Sequence, residues 1–167
     1  WDIYCDWYLE FVKPFIKENE ETKNVAKFVL FNILHILNPF MPFITEELNF
    51  KIFKNKKLIL VSKWPNCDNK YYKCDNINKI INIIAEIRAI KNEMKIPLSA
   101  KPVLQIQGND KALKKTINRL NISILNLARL KKIIHDNNPF PKESAVANVN
   151  GINIGLHLEG IIDFKLE

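Results

Sequence analysis

The chain has 167 residues, 47% of them apolar and only four of them glycine, which suffices for one domain with a sizeable core or a domain with a small appendage and excludes a disordered or collagen-like chain. Lys and Arg outnumber Asp and Glu by 25 to 18, for a net charge of +7; the excess is Lys, since Arg occurs only at 88, 119 and 129. Such a balance points to a polyanionic partner, nucleic acid above all, against the plainer reading of a codon bias toward Lys, Asn and Ile. Three cysteines, at 5, 67 and 74, speak against a disulfide framework, and without a signal peptide or a long apolar span the expected setting is a reducing cytoplasm with no membrane. No Cys or His pairs stand at zinc-ligand spacing, so Cys67 and Cys74 read as incidental thiols and no metal site is expected.

In the opening run CDWYLEFVKPF, ~100° per residue gathers Trp1, Tyr4, Cys5, Tyr8, Phe11, Val12 and Phe15 into one apolar stripe. Asp2, Asp6, Glu10 and Lys13 take the opposite arc. Leu9 falls between them, roughly 100° from the stripe's centre, an apolar side chain at the edge of the wet face. Pro14 frees the carbonyl of Glu10 and is expected to kink the helix.

After the polar break NEET, a second helix is predicted from Thr22 to Leu37, apolar around most of its surface and so central in a bundle. One mixed stripe holds Asn24, Lys27, Phe28, Phe31 and His35, for which packing against a neighbouring helix is preferred over stacking on bases. His35 reads as a hydrogen-bonded bundle residue rather than a ligand or catalyst. In NPFMPFITEEL, Pro39 stops the second helix after Asn38. Pro42 then suits the first turn of a third, with Glu46 and Glu47 near its positive end. That helix is expected to end near Phe53, followed by the loop KNKK, the apolar run Leu58 to Val61, and Trp64-Pro65.

Asp75 is a plausible N-cap for a long helix to Met94 whose buried stripe is Ile77, Ile80, Ile81, Ile84 and Ile87. Arg88 lies on the edge of that stripe, where an unpaired charge would be costly, so it is expected to meet either a bundle carboxylate or a ligand phosphate. Beyond Pro97 and Pro102 the pattern alternates. Val103 to Gln107 reads as a strand, Gly108-Asn109-Asp110 caps a helix from Lys111 to Leu130 that Asn121 interrupts, and AVANVNGINIGLHL reads as a hairpin turning at Asn150-Gly151. The fold class is mainly α: a helical bundle over 1–98, followed over 99–167 by a small α+β subdomain of strand, helix and hairpin.

CDWYLEFVKP, NPFMPFITEEL, LVSKWP, EIRAIKNEMKIP and LEGIIDFKLE, in this order and over essentially the whole chain, resemble the carboxyl-terminal part of valyl-tRNA synthetases. NPFMPFITEEL and EIRAIKNEMKIP are shared with the isoleucyl and leucyl relatives; the opening and closing segments are closer to the valyl type. The resemblance implies the later part of an anticodon-binding helical bundle, without its earliest helices, and the small domain before a coiled-coil tail. It implies tRNA(Val) as partner through its anticodon arm, an upstream catalytic domain in the same chain, and a monomer. ATP belongs to the full-length enzyme; the two ATP-handling signatures and any Gly-rich phosphate loop have no match here, so no catalytic residue and no cofactor are expected in this chain. The family places an anticodon-contacting apolar residue at the position of Leu9. Lys13 and Lys17 are phosphate candidates, and Arg88 is shared between ion pair and RNA contact. Two alternatives stand: the same region of an isoleucyl or leucyl enzyme, or a non-catalytic helical module that binds RNA or protein.

Overall fold

The computed structural model describes residues 3–54, 57–66 and 74–160. Trp1, Asp2, Lys56, Cys67 and the closing segment from Ile161 lie outside the described residues. The chain forms two compact units, Trp1–Pro14 with Lys73–Glu167, and Phe15–Tyr72.

In the first unit a π-helical segment, Ile3–Tyr8, runs into a single α turn, α1 (Leu9–Val12). Pro14 terminates this helix rather than kinking it: turns follow from Lys13 onward, because Pro removes the donor that would continue the ladder. The buried hydroxyl of Ser123 donates to the carbonyl of Phe11 at 2.7 Å and ties the helix end to α6 (Asn121–Leu127). Tyr4 stacks on Tyr8, and Trp7 on Phe11.

The long helix α4 (Asp75–Glu93) starts with Cys74 at the N-cap and no side-chain cap, so Asp75 is the first helical residue, not the cap. Its Ile80, Ile83, Ile84 and Ile87 share one core with Phe11, with Leu104 and Ile106 of β1 (Val103–Gln107), with Leu113 and Ile117 of α5 (Lys111–Arg119), and with Ile124 of α6. The predicted helix from Lys111 divides at Leu120 into α5 and α6. A strand missed in the sequence, β2 (Lys132–His135), pairs parallel to β1. Strands β3 (Ser144–Val149) and β4 (Ile152–His157) form the expected hairpin, completing a sheet in the order β2-β1-β4-β3. Asn150 and Gly151 both take positive φ, 52° and 79°, as a type I′ turn requires. A Cβ on Gly155 would stand 2.2 Å from Cδ1 of Phe140, so the absence of a side chain there lets the Phe140 ring lie against β4.

The second unit is built on α2 (Glu20–Leu37) and α3 (Pro42–Phe53). Helix α2 begins two residues before Thr22, because the Asn19 side chain accepts from the Thr22 N–H at 3.0 Å. The corner between the helices is a polar lock: Asn38 donates to the buried Thr45 hydroxyl at 2.9 Å, and the Glu46 carboxylate accepts from the backbone N–H groups of Ile59 and Leu60 at 3.0 and 3.1 Å. NPFMPFITEEL therefore owes its pattern first to structure, fixing the helix corner to the 3-10 turn Ile59–Val61.

Candidate nucleic-acid interface

Helices α4 and α6 bring a set of cations together. Helix α6 ends in a Schellman arrangement: Leu130 N–H bonds the Leu125 carbonyl at 2.9 Å, Arg129 N–H bonds the Asn126 carbonyl at 3.3 Å, and Arg129 takes φ 49°. Carbonyls at the negative end of the helix are thereby left to other donors. Arg88 supplies Nε and Nη2 to the Leu127 carbonyl at 3.2 and 3.0 Å. Lys91, three residues further along α4, bonds the carbonyls of Ala128 and Arg129 at 3.0 and 2.8 Å. Burial first, and the neighbouring Arg129 guanidinium second, push the Lys91 ammonium below its ordinary pKa.

Among the described residues Arg88 does not meet the carboxylate that was one of the two partners expected for it. Its side chain is exposed, it forms no ion pair among the described residues, and its guanidinium carbon sits 5.6 Å from the centroid of the Trp7 ring. A main-chain carbonyl and an indole face replace the carboxylate, and neither requires a buried charge. The Nη1 hydrogens and one on Nη2 remain uncommitted to the Leu127 carbonyl.

Leu9 is half-buried at the start of α1. It stands two residues along the chain from Trp7, whose ring Arg88 approaches. Lys13 is exposed and paired with Glu10 of its own turn. Lys17 is also exposed but belongs to the second unit; the first unit holds the other three.

In the second unit the mixed stripe of α2 divides. His35 is buried, with Nδ1 bonded to the Phe31 carbonyl at 2.8 Å and Nε2 2.7 Å from the Ser62 hydroxyl, a bundle role as expected. Phe31 packs edge-on against Phe53. Asn24, Lys27 and Phe28 stay exposed, and Phe28 and Trp64, 68% and 61% exposed, line one open groove. Lys91, Arg129 and Trp64 were missed in the sequence. Lys91 could have been found, since a spacing of three puts it beside Arg88 on α4; Arg129 and Trp64 meet their neighbours only through tertiary folding.

Residues 1–107 match the family model for the anticodon-binding domain of tRNA ligase. The chain belongs to that family. The match takes in Leu9, Lys13, Lys17, Arg88 and Lys91 and stops at the end of β1, before Arg129. Over its whole length this anticodon-binding chain is 34% identical to a valine–tRNA ligase of Rhizorhabdus wittichii and 30% identical to one of Anoxybacillus flavithermus, covering 19% and 20% of them. Over 82% of its length it is 36% identical to a valine–tRNA ligase of Picrophilus torridus, of which it covers 18%. It thus spans about a fifth of the length of the curated relatives it matches.

A strand–glycine–helix junction like the one in this chain is a common seat for a nucleotide phosphate. At this junction, β1–Gly108–α5, the Asp110 carboxylate already accepts from the Ala112 and Leu113 N–H groups at 3.1 and 3.0 Å and pairs with Lys79 at 3.0 Å. The donors that a phosphate would need at that helix start are taken by an anion of the chain itself. Among the described residues no helix is long and apolar enough to cross a membrane.

Proposed function

We propose that the chain is the anticodon-arm-binding part of a valine–tRNA ligase, a cytoplasmic monomer whose upstream domain would activate valine with ATP and transfer it to tRNA. The observation that carries this reading is the coincidence of the anticodon-binding family match over 1–107 with valine–tRNA ligase relatives that align along the whole chain. Relatives of that one type favour the valyl reading over the isoleucyl or leucyl one and over an unrelated helical module.

The chemistry of recognition divides into two kinds of contact. Anticodon bases splayed out of their stack need apolar surface and hydrogen-bonding edges, and half-buried Leu9 offers an apolar surface in the first unit. The phosphate backbone is met by the Lys excess. Lys13 would serve by exchanging its Glu10 partner for a phosphate, exposed Lys17 from the second unit, and Arg88 by the N–H groups that Leu127 leaves over. The test is the 167-residue chain in two assays. It should bind valine tRNA with an affinity that falls steeply with salt, and should show no pyrophosphate exchange with valine and ATP. Exchange above blank, or no tRNA binding at low salt, would contradict the reading.

A further inference from the structure

We propose that Arg88, Lys91 and Arg129 form a phosphodiester-binding site on the groove between the C-terminal part of α4 and the end of α6, a site that takes the RNA backbone apart from any anticodon contact. This rests on the tRNA reading above and adds to it a second place of attachment.

The groove encloses about 260 Å³ and, besides those three cations, is lined by Asn92, Leu98 and the residues of the α6 terminus, with no Asp or Glu among them. Three like charges around one opening repel each other, and the main-chain carbonyls that receive Arg88 and Lys91 are only partial charges. Burial first, and the Arg129 guanidinium second, hold the Lys91 ammonium below its ordinary pKa, so the smaller part of that shift is like-charge repulsion. A phosphate would relieve it. Arg88 keeps its Nη1 hydrogens for an oxygen, and exposed Arg129 offers a planar fork of its own. Lys91 is spent on holding the two carbonyls and sets the floor of the site.

One feature favours a nucleic-acid backbone over a small anion. Leu98, 76% exposed, stands at the edge of the same groove, an apolar rim suited to a ribose or base face beside the phosphate. Arg129 occupies the left-handed position where glycine is the free choice, and a side chain there costs on the order of 1 kcal/mol of backbone strain. Lys54 and Lys95 take the same conformation, at 52° and 49°; what sets Arg129 apart is that it lines the groove.

Arg129→Gly separates binding from folding, because it relieves the strain while deleting the cation. It should leave the melting temperature unchanged or higher. Its affinity for valine tRNA at about 0.1 M salt should fall about five- to tenfold, with the log–log salt slope shallower by about 0.7 to 0.9, one phosphate contact. Arg119→Gln, an exposed cation at the end of α5, serves as the control for net charge and should change the slope by less than half as much. Equal effects of the two variants, or an unchanged affinity of Arg129→Gly beside normal binding by the parent chain, would overturn the site while leaving the tRNA reading in place. Inorganic phosphate, titrated at constant ionic strength, should compete weakly with tRNA. Saturable phosphate binding that is lost in Arg129→Gly without any loss of tRNA affinity would make this a free-phosphate site and overturn the proposal. Absence of tRNA binding by the parent chain would overturn both.

Discussion

Replacing Arg88 by alanine removes three contacts at once: a two-pronged donation to the Leu127 carbonyl at 3.2 and 3.0 Å, a cation at the negative end of α6, and the guanidinium 5.6 Å from the Trp7 ring centroid. Had Arg88 been half of a buried ion pair, its loss would cost about 3–5 kcal/mol; an exposed side chain on a carbonyl calls for a smaller sum. The bond to the carbonyl contributes about 1 kcal/mol net, and the exposed cation–π contact adds about 0.5–1 kcal/mol. At about 2–4 °C per kcal/mol for a chain of this size, the melting temperature should fall by about 3–8 °C. Arg88→Lys keeps the charge over the indole but not the paired donation, and should recover about half of that shift. Thermal melts followed by circular dichroism, with the combined fluorescence of Trp1, Trp7 and Trp64 as a second probe, measure both. An unchanged melting temperature in Arg88→Ala would refute the cap-and-stack account, and Lys performing as well as Arg would refute the paired donation.

Gly155→Ala should destabilise by about 1–3 kcal/mol through the clash with the Phe140 ring, and Phe140→Ala in the same chain should remove most of that extra cost in a double-mutant cycle; additive effects would show that the ring moves aside freely. Glu46→Gln keeps one acceptor but turns an amide donor toward the N–H groups of Ile59 and Leu60, so a loss of about 1–3 kcal/mol in chemical denaturation is expected, and no loss would mean the carboxylate is not what holds that turn. Burial, with Lys114 second, holds the His135 imidazole below its ordinary pKa of 6.5. The unfolded chain therefore takes up the proton first as pH falls, and the stability present above about pH 6.5 declines below it. His135→Gln should flatten the melting temperature against pH between about 7 and 5, and an unchanged slope would show that this ring does not contribute.

What could be read from the chain followed local chemistry. Asn150-Gly151 located a turn because both positions need positive φ, and Pro39 and Pro42 bounded two helices because each removes a donor. The mainly α class and the α+β character of the later residues came from the same signals. Strand β2 escaped because KIIH is four residues long, follows an apolar helical run, and acquires its identity from parallel pairing to β1 about thirty residues earlier. The π-helical turns of Ile3–Tyr8 have no signature that separates them from α periodicity. At Arg88 the reading considered only charged partners, whereas a carbonyl at a helix end and an aromatic face stand where the carboxylate was expected. Neither is visible as a charge pattern, and Arg129 and Trp64 were invisible for the same reason.

Valine codons require an anticodon with A at the middle and C at the third position, so the central claim is tested most directly by base-selective binding. The 167-residue chain should be titrated with an anticodon-arm hairpin of valine sequence and with one whose middle base is changed, alongside Leu9→Asp. The account predicts at least tenfold weaker binding of the changed hairpin, and weakened binding of the valine hairpin by Leu9→Asp, with a melting temperature within a few degrees of the parent because Leu9 is half-buried. Equal affinity for the two hairpins, or valine-hairpin binding that Leu9→Asp leaves untouched, would contradict it.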